Sequence, residues 1–344
     1  MERLCCILDA DESYAVRVAA CFNERRAFSY PVRAFSDLEA YRECEAGNEV
    51  ELLLAAEDMY SRLGQTAAKV VIRLCEQAPA GGDGQQGSGL CGQEGQNKRA
   101  ARIAKYQAVD NVIRDALRLY ADEEPEGLLY PSAAAGKARL VCIYSPNGHT
   151  GKTTLGLALA HIKGQKRKVL YLNFEEFSAV GQELSEHTGN LSDALFYYHT
   201  SGGGIGKILS VVNRGNGFDY IAPAACAEDL PQFSADIIAD FVGKVAEAGG
   251  YELIIVDIGA LIKEPWKLLC RADTILAPKP DCAHRRRRQM EFEKYLHYAE
   301  LDFVAERITL VDIVQDEGIA ADGRMNYPKL VCSPYGRAVS AIDV

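Results

Sequence analysis

The sequence lacks several patterns that would assign it to a specialised class of protein. No two of its 11 cysteines are at CxxC spacing, and their odd number and scatter predict reduced, buried thiols. Its six histidines include no HxxxH pair, and no GxSxG elbow indicates a serine hydrolase. No run of about 18 apolar residues could span a bilayer, and the N-terminus turns acidic too early for a signal peptide. We therefore expect a cytoplasmic protein.

Positive charge is also in deficit. The formal net charge of −10 disfavours binding to nucleic acid or to an anionic membrane surface. The one strong basic cluster, Arg285 to Arg288, would spread around a helix instead of forming a single stripe. We interpret it as a solvated or internally paired surface, with an anionic partner as the alternative.

Composition and length indicate an ordinary globular chain with two domains. Hydrophobic residues make up 48% and charged residues 25% of the 344 positions, close to the averages for globular proteins. A charged segment punctuated by proline and glycine separates two halves of similar pattern. We assign residues 1–120 to the first domain, 121–138 to a linker and 139–344 to the second domain. The Gly- and Gln-rich residues 80–97 are predicted to form a mobile loop.

Short apolar runs alternate with helical patterns in both halves, which predicts α/β domains with parallel sheets. The expected strands of the first half are Leu4–Leu8, Tyr30–Arg33, Glu51–Leu54, Val70–Leu74 and Arg102–Ala104. Those of the second half are a strand from Arg139, then Lys168–Leu172, Leu253–Val256, Thr274–Ala277 and Ile308–Val311. The fold class is therefore a flavodoxin-like domain followed by a doubly wound domain.

The strongest motif is a glycine-containing loop placed after a strand and at the start of a helix. Backbone amides around Gly148 and Gly151 can surround β- and γ-phosphates, Lys152 supplies a charge, and the Thr153 hydroxyl suits Mg²⁺. The first glycine of the usual phosphate-loop pattern is replaced by Pro146, so a glycine turn with a solvated lysine is the alternative. The candidate nucleotide-binding residues are Asn147, Gly148, His149, Thr150, Gly151, Lys152, Thr153 and Thr154.

A second motif is the apolar strand that ends at Asp257. A carboxylate there would lie at the carboxyl edge of the sheet beside the phosphate loop, where it can hold a water bound to Mg²⁺. Thr153 and Asp257 are therefore the candidate metal ligands.

Together these residues resemble the ParA/MinD superfamily of deviant-Walker ATPases, from Arg139 to about Gly336. The family's phosphate loop, the aspartates of its next strand and its later strand-ending aspartate match the loop 147–154, then Asn173 and Glu175, then Asp257. The resemblance implies ATP and Mg²⁺ as cofactors, a homodimer, and catalytic roles for Lys152, Glu175 and Asp257.

The chain departs from the family at positions that matter for hydrolysis. The signature lysine that reaches the partner's nucleotide falls on Asn147, and His149 replaces a glycine. The two aspartates fall on Asn173 and Glu175, so one carboxylate remains, displaced by a methylene. Because small displacements of reacting groups are costly, we expect nucleotide binding to be retained better than hydrolysis, which leaves at most a slow ATPase.

The first domain resembles a response-regulator receiver domain. Asp9 matches one acid of its metal-binding pair and Lys105 matches its lysine, but Ala55 stands where the phospho-acceptor is expected. Glu57 and Asp58 are predicted to lie on a solvated loop. The alternative is a flavodoxin-like fold in which Asp9 and Lys105 are incidental.

A degenerate receiver ahead of a deviant ATPase is the arrangement of TadZ/CpaE-like proteins, which help to place the tight-adherence pilus machinery. Residues 171–177 and 191–198 also look like members of that group. The resemblance implies a positioning protein recruited to a cell pole or a membrane-bound assembly, without inserting in the membrane, and partnered by a pilus secretion ATPase or its membrane platform. The alternatives are a scaffold without turnover and a DNA-partitioning ATPase, which the net charge disfavours.

Overall fold

The structure is a computed structural model that describes residues 2–24, 28, 30–76, 100–123, 138–184, 189–200, 205–313, 320–321 and 324–344. The chain divides into two compact units, Met1–Pro131 with Gly204–Ser210, and Ser132–Gly203 with Val211–Val344. The predicted mobile loop 80–97 lies outside the described residues, as does most of the predicted linker 121–138.

The secondary structure follows the alternation predicted from the sequence. The strands are β1 Arg3–Leu8, β2 Val32–Phe35, β3 Glu49–Ala56, β4 Val70–Cys75, β5 Ala101–Ala104, β6 Arg139–Ile143, β7 Val169–Asn173, β8 Val212–Gly215, β9 Phe218–Ile221, β10 Leu253–Asp257, β11 Thr274–Pro278, β12 Ile308–Val311, β13 Ala320–Ala321 and β14 Arg324–Met325. The helices are α1 Glu12–Glu24, α2 Leu38–Gly47, α3 Glu57–Leu63, α4 Val109–Glu123, α5 Lys152–Gly164, α6 Val180–Glu183, α7 Leu191–Thr200, α8 Ile205–Ser210, α9 Ala235–Gly249, α10 Pro265–Arg271, α11 Ala283–Tyr298, α12 Asp302–Glu306, α13 Tyr327–Cys332 and α14 Pro334–Ser340, with a 3₁₀-helix at Ala227–Gln232. In the ranges given above, no helix combines the length and the apolar character needed to cross a bilayer.

The first unit has a parallel sheet in the order β2-β1-β3-β4-β5. This is the flavodoxin-like order of doubly wound folds, as predicted. Alternate residues of β1, such as Leu4 and Leu8, pack with Tyr41 of α2 and Met59 of α3. Helices α1 and α4 contact each other. Helix α8 belongs to this unit although the sequence placed it in the second domain, because it packs on α4 and Lys207 forms an ion pair with Asp122 (2.6 Å).

Two details of the first unit differ from the sequence-based expectation. Strand β3 extends to Ala56, because Ala56 is still in register with Leu74 of β4. Glu57 and Asp58 then begin α3 instead of lying on a loop. Acidic residues are favoured in the first turn of a helix, and Glu57 is held there by Arg73 at 3.2 Å.

The cysteines are less uniformly buried than the sequence predicted. Those on central strands are buried, whereas those near helix ends or in connections reach solvent. Buried thiols are Cys5, Cys6 and Cys142, and exposed ones are Cys226, Cys282 and Cys332, all of them free.

The second unit has a seven-stranded sheet in the order β12-β11-β6-β10-β7-β9-β8. The strands from β12 to β9 are parallel, and β8 is antiparallel to β9. In this register the last residue of β10, Asp257, is paired with Ile143 of β6 and Asn173 of β7. Three carboxyl ends therefore meet at one place on the sheet edge, as expected for a doubly wound fold.

The edge hairpin β8–β9 was not predicted. Its turn is formed by Asn216 and Gly217, both with positive φ (51° and 86°). Asn-Gly is the usual sequence of a type I′ turn between two short strands, so the signal for this hairpin was present.

Candidate functional site

The loop 144–151 connects β6 to the first turn of α5. Gly151 ends the loop with φ of 85°, and a Cβ there would lie 3.0 Å from Ile313 Cγ2. His149 also has positive φ, at 51°, a conformation that glycine adopts without strain. The loop thus keeps a backbone suited to glycine at a position where the sequence has histidine. Its amides and the α5 N-terminus suit the binding of an anion.

Four of the predicted site residues, from α5, the end of β10 and the segment after β7, meet at the start of α5. Thr153 Oγ1 lies 2.7 Å from Asp257 Oδ2 and 2.9 Å from Glu175 Oε2. Lys152 Nζ lies 3.1 Å from Glu175 Oε1. The candidate catalytic and metal-binding side chains therefore lie within one cluster.

Asp257 is the buried centre of this cluster. Its Oδ2 accepts hydrogen bonds from Asn173 Nδ2 (2.9 Å) and from the Tyr171 hydroxyl (3.2 Å). Its Oδ1 is buried and has no hydrogen-bond partner in the described part of the chain. Burial, followed by the charge of Glu175, raises the pKa of Asp257 to about 7. A carboxylate in this state is stabilised by a nearby cation.

Two residues in this network were not predicted from the sequence. Tyr171 lies in β7, is fully buried and bonds both Asp257 and Asn173. Tyr171 and Asn173 are two positions apart on one strand, so the sequence could have suggested that their side chains lie on the same face of the sheet. The second residue, Arg285, had been considered only as part of the basic cluster.

The Asn147 side chain is directed towards α11, the helix that carries the arginine cluster Arg285 to Arg288. Its side chain is 4% exposed, and its Nδ2 donates to the Arg285 carbonyl of α11 at 3.1 Å. The Arg285 guanidinium donates in turn to the His149 carbonyl at 3.4 Å. The first turn of α11 is therefore hydrogen-bonded to the phosphate loop.

An open cavity of about 800 Å³ lies over the loop. Its lining joins all eight candidate loop residues, 147–154, to Glu175, to the segment after β10 and to Trp266 and Arg288. The cavity is thus continuous from Thr153 and Glu175 to the side of the loop that bears Asn147.

The residues present fit a nucleotide with Mg²⁺. Three polar atoms of the site, Asn147 Oδ1, Thr150 Oγ1 and Asp257 Oδ1, are buried without a partner among the described residues, although buried polar atoms are normally paired. A hydroxyl and one carboxylate are a sufficient protein contribution to Mg²⁺, which takes its other ligands from phosphates and water.

The first unit contains a separate candidate site. Lys105 Nζ lies 2.8 Å from Asp9 Oδ2, and both residues are buried. A cavity of about 480 Å³ beside Lys105 is lined by Ala56 and not by Ala55, and both alanines pack in the apolar core. Neither Ala55 nor Ala56, at the end of β3, carries a carboxylate.

Comparison with known proteins gives structural likenesses only. No protein-family model matches the chain, and no curated protein is similar to it. Among solved structures, a ParA family ATPase from Chlorobium tepidum has 18% identity and a TM-score of 0.47, covering 59% of this chain and 96% of that one. The septum site-determining protein MinD from Pyrococcus horikoshii, complexed with Mg-ADP, has 16% identity and a TM-score of 0.45, covering 59% of this chain and 93% of that one. The MinD cell division protein of Aquifex aeolicus has 14% identity and a TM-score of 0.42, covering 59% of this chain and 94% of that one.

The doubly wound assignment of the second unit rests on its own strand order and on the loop that opens α5.

Proposed function

We propose that the second unit binds ATP with Mg²⁺ and acts as a ParA/MinD-type positioning protein. The observation that carries this proposal is the position of Thr153 Oγ1 between Asp257 and Glu175, beside a buried carboxylate oxygen that has no partner among the described residues. Lys152 and the loop amides would hold the phosphates, and Thr153 and Asp257 would hold the metal. When bound, Mg²⁺ would neutralise phosphate charge.

Hydrolysis by this site would be slow. Asn173 replaces a carboxylate and uses its amide to bond Asp257 (2.9 Å). Glu175, the remaining candidate for positioning a water, is engaged with both Thr153 and Lys152. Both observations support a long-lived nucleotide-bound state over rapid turnover.

For the whole chain, we propose a TadZ/CpaE-like protein that places a pilus or secretion assembly. The first unit, proposed as a pseudo-receiver at residues 1–120, has the flavodoxin-like strand order and an alanine beside Lys105. Such a domain would recognise partners without accepting a phosphate. The ATPase domain, proposed at 139–344, would form a homodimer and recruit a secretion ATPase or its membrane platform.

Calorimetric titration with Mg-ATP tests the proposal. Native protein is expected to bind, and Lys152→Ala is expected to bind at least about tenfold more weakly, because charge-assisted bonds to phosphate are lost. Lys166→Ala, at an exposed lysine in the turn that follows α5, is the matched control. Absence of binding by native protein, or equal affinities for the two variants, would contradict the proposal.

A second candidate function is a scaffold that binds no nucleotide. The observation in its favour is that Lys152 and Glu175 neutralise each other at 3.1 Å, so the site has an internal partner for its lysine. In that case the titration gives no heat with native protein, while partner binding is unaffected by Lys152→Ala.

A further inference from the structure

One face of α11 is directed at the phosphate loop. Residues 285, 288 and 292 are three and four positions apart, so they lie on the same side of the helix. Arg285 at one end of this row bonds the His149 carbonyl (3.4 Å). Phe292 at the other end contacts Tyr144, with ring centroids 5.1 Å apart. Arg288 lies between these two contacts and lines the 800 Å³ cavity.

The charge of Arg288 has no counter-ion in the described part of the chain. The other cations near this cavity are already paired: Lys152 with Glu175 (3.1 Å), and Arg285 with Asp281 (2.6 Å). Arg288 forms neither an ion pair nor a side-chain hydrogen bond with any described residue. An exposed guanidinium at the rim of a phosphate-binding cavity is therefore available to an anion.

We propose that Arg288 binds the terminal phosphate of the nucleotide within the same chain. This inference rests on the proposed function and goes beyond it by naming a residue that distinguishes ATP from ADP. The cavity that Arg288 lines also contains Glu175 and Gly259, which follow the strands that end beside Asp257. These groups belong to the end of the site where a terminal phosphate would lie.

The proposal explains how a loop with Asn147 can hold a triphosphate. Because position 147 carries a neutral amide, the loop 147–154 has one lysine, Lys152, and one histidine, His149, and no other basic side chain. Arginine offers a planar fork of donors that pairs with two phosphate oxygens at once. Arg288 would thus supply from α11 the charge that the loop itself lacks.

The neighbouring arginines provide matched controls. Arg286 and Arg287 are exposed like Arg288, but they lie on other sides of α11 and do not line the cavity. A general effect of positive charge on an anionic ligand would be shared by all three residues, whereas a direct contact would be specific to Arg288.

The test measures binding of Mg²⁺ with AMPPNP, a non-hydrolysable ATP analogue, and with ADP, for native protein, Arg288→Gln, Arg288→Lys and Arg287→Gln. Arg288→Gln is expected to weaken analogue binding about tenfold or more and ADP binding less than about threefold. Arg288→Lys should restore part of the analogue affinity, and Arg287→Gln should leave both affinities within about twofold of native. Thermal unfolding confirms that all variants are folded.

The results separate this inference from the proposed function. If native protein binds both nucleotides and Arg288→Gln behaves like Arg287→Gln, the inference is wrong while nucleotide binding stands. It is also wrong if Arg288→Gln weakens both nucleotides equally. If native protein binds neither nucleotide, the proposed function fails, and the role of Arg288 fails with it.

Discussion

Thr153 and Asp257, 104 residues apart in the sequence, meet at 2.7 Å between Thr153 Oγ1 and Asp257 Oδ2. Glu175 Oε2 lies 2.9 Å from the same hydroxyl. A hydroxyl has one proton, so it can donate to only one of the two carboxylates at a time. The other carboxylate then faces an oxygen lone pair, which favours a proton or a cation at this place.

The first prediction concerns the pH dependence of stability without metal. The pKa of Asp257 is raised from 3.8 to about 7 by burial and by Glu175. The native state therefore binds a proton more tightly than the unfolded state, and this stabilisation is lost as the pH rises from about 4 to about 7. Asp257→Asn cannot ionise and should lose less stability across that range.

Urea unfolding in the presence of a chelator, at about pH 4 and about pH 8, measures this difference. The free energy of unfolding of Asp257→Asn relative to native should be higher at the upper pH. Parallel pH profiles for the two proteins would show that Asp257 has an ordinary pKa.

The second prediction concerns Glu175. Its carboxylate pairs with Lys152 at 3.1 Å and would repel incoming phosphates. Glu175→Gln should therefore tighten Mg-ATP binding by about three- to tenfold and slow single-turnover hydrolysis. Glu176→Gln, the adjacent control, should change both quantities less, since Glu176 lines the same cavity but accepts from the Ala260 amide and is not paired with Lys152. Weaker binding by Glu175→Gln would mean that Glu175 helps to hold the metal.

Much of the fold could be predicted from the sequence because its parallel strands are continuous apolar runs. The central strand, for example, was predicted at Leu253–Val256 and is observed at Leu253–Asp257, one residue longer. The edge hairpin β8–β9 was missed because its strands are short and partly polar, and only its Asn-Gly turn indicates it. Local pattern thus identifies buried strands better than edge strands.

The site was predictable in part. Strand ends and the loop motif indicated Lys152, Thr153 and Asp257, because parallel strands bring their carboxyl ends to one edge. The contact of Asn147 with Arg285 joins residues 138 apart. It depends on how α11 packs, which no local pattern reveals.

The third prediction concerns the backbone of the phosphate loop. His149 has φ of 51°, where a residue with a Cβ is strained by about 1 kcal/mol or more relative to glycine. His149→Gly should therefore be more stable than His149→Ala by about 1 kcal/mol, the reverse of the usual order within helices. Equal stabilities in urea unfolding would show that the loop relaxes around position 149.

The fourth prediction concerns the first unit. With alanine at positions 55 and 56, the described carboxylates that line the cavity beside Lys105 are Glu57, Asp58 and Glu76, and Asp9 is paired with Lys105 itself at 2.8 Å. Glu57 is also held by Arg73 (3.2 Å). Incubation with acetyl phosphate should leave the mass of residues 1–120 unchanged. A phosphorylated peptide from this region would contradict the pseudo-receiver assignment.

The last prediction concerns the rate of ATP hydrolysis and the charge at position 147. A positive charge placed at the transferred phosphate can accelerate hydrolysis by about 10³- to 10⁵-fold when an arginine supplies it. Asn147 brings no such charge and is engaged with Arg285. Single-turnover hydrolysis by native protein should therefore be slow. Asn147→Lys adds the charge but also removes the bond to Arg285, whereas Asn147→Ala only removes that bond.

The comparison of these two variants isolates the charge. Asn147→Lys should hydrolyse ATP at least about tenfold faster than Asn147→Ala and should dimerise more strongly with nucleotide. The gain should fall short of the full effect of an arginine, because Asn173 at the end of β7 carries no carboxylate and Glu175 is engaged with Thr153 and Lys152. Equal rates for the two variants would show that the lack of a positive charge at position 147 does not limit hydrolysis.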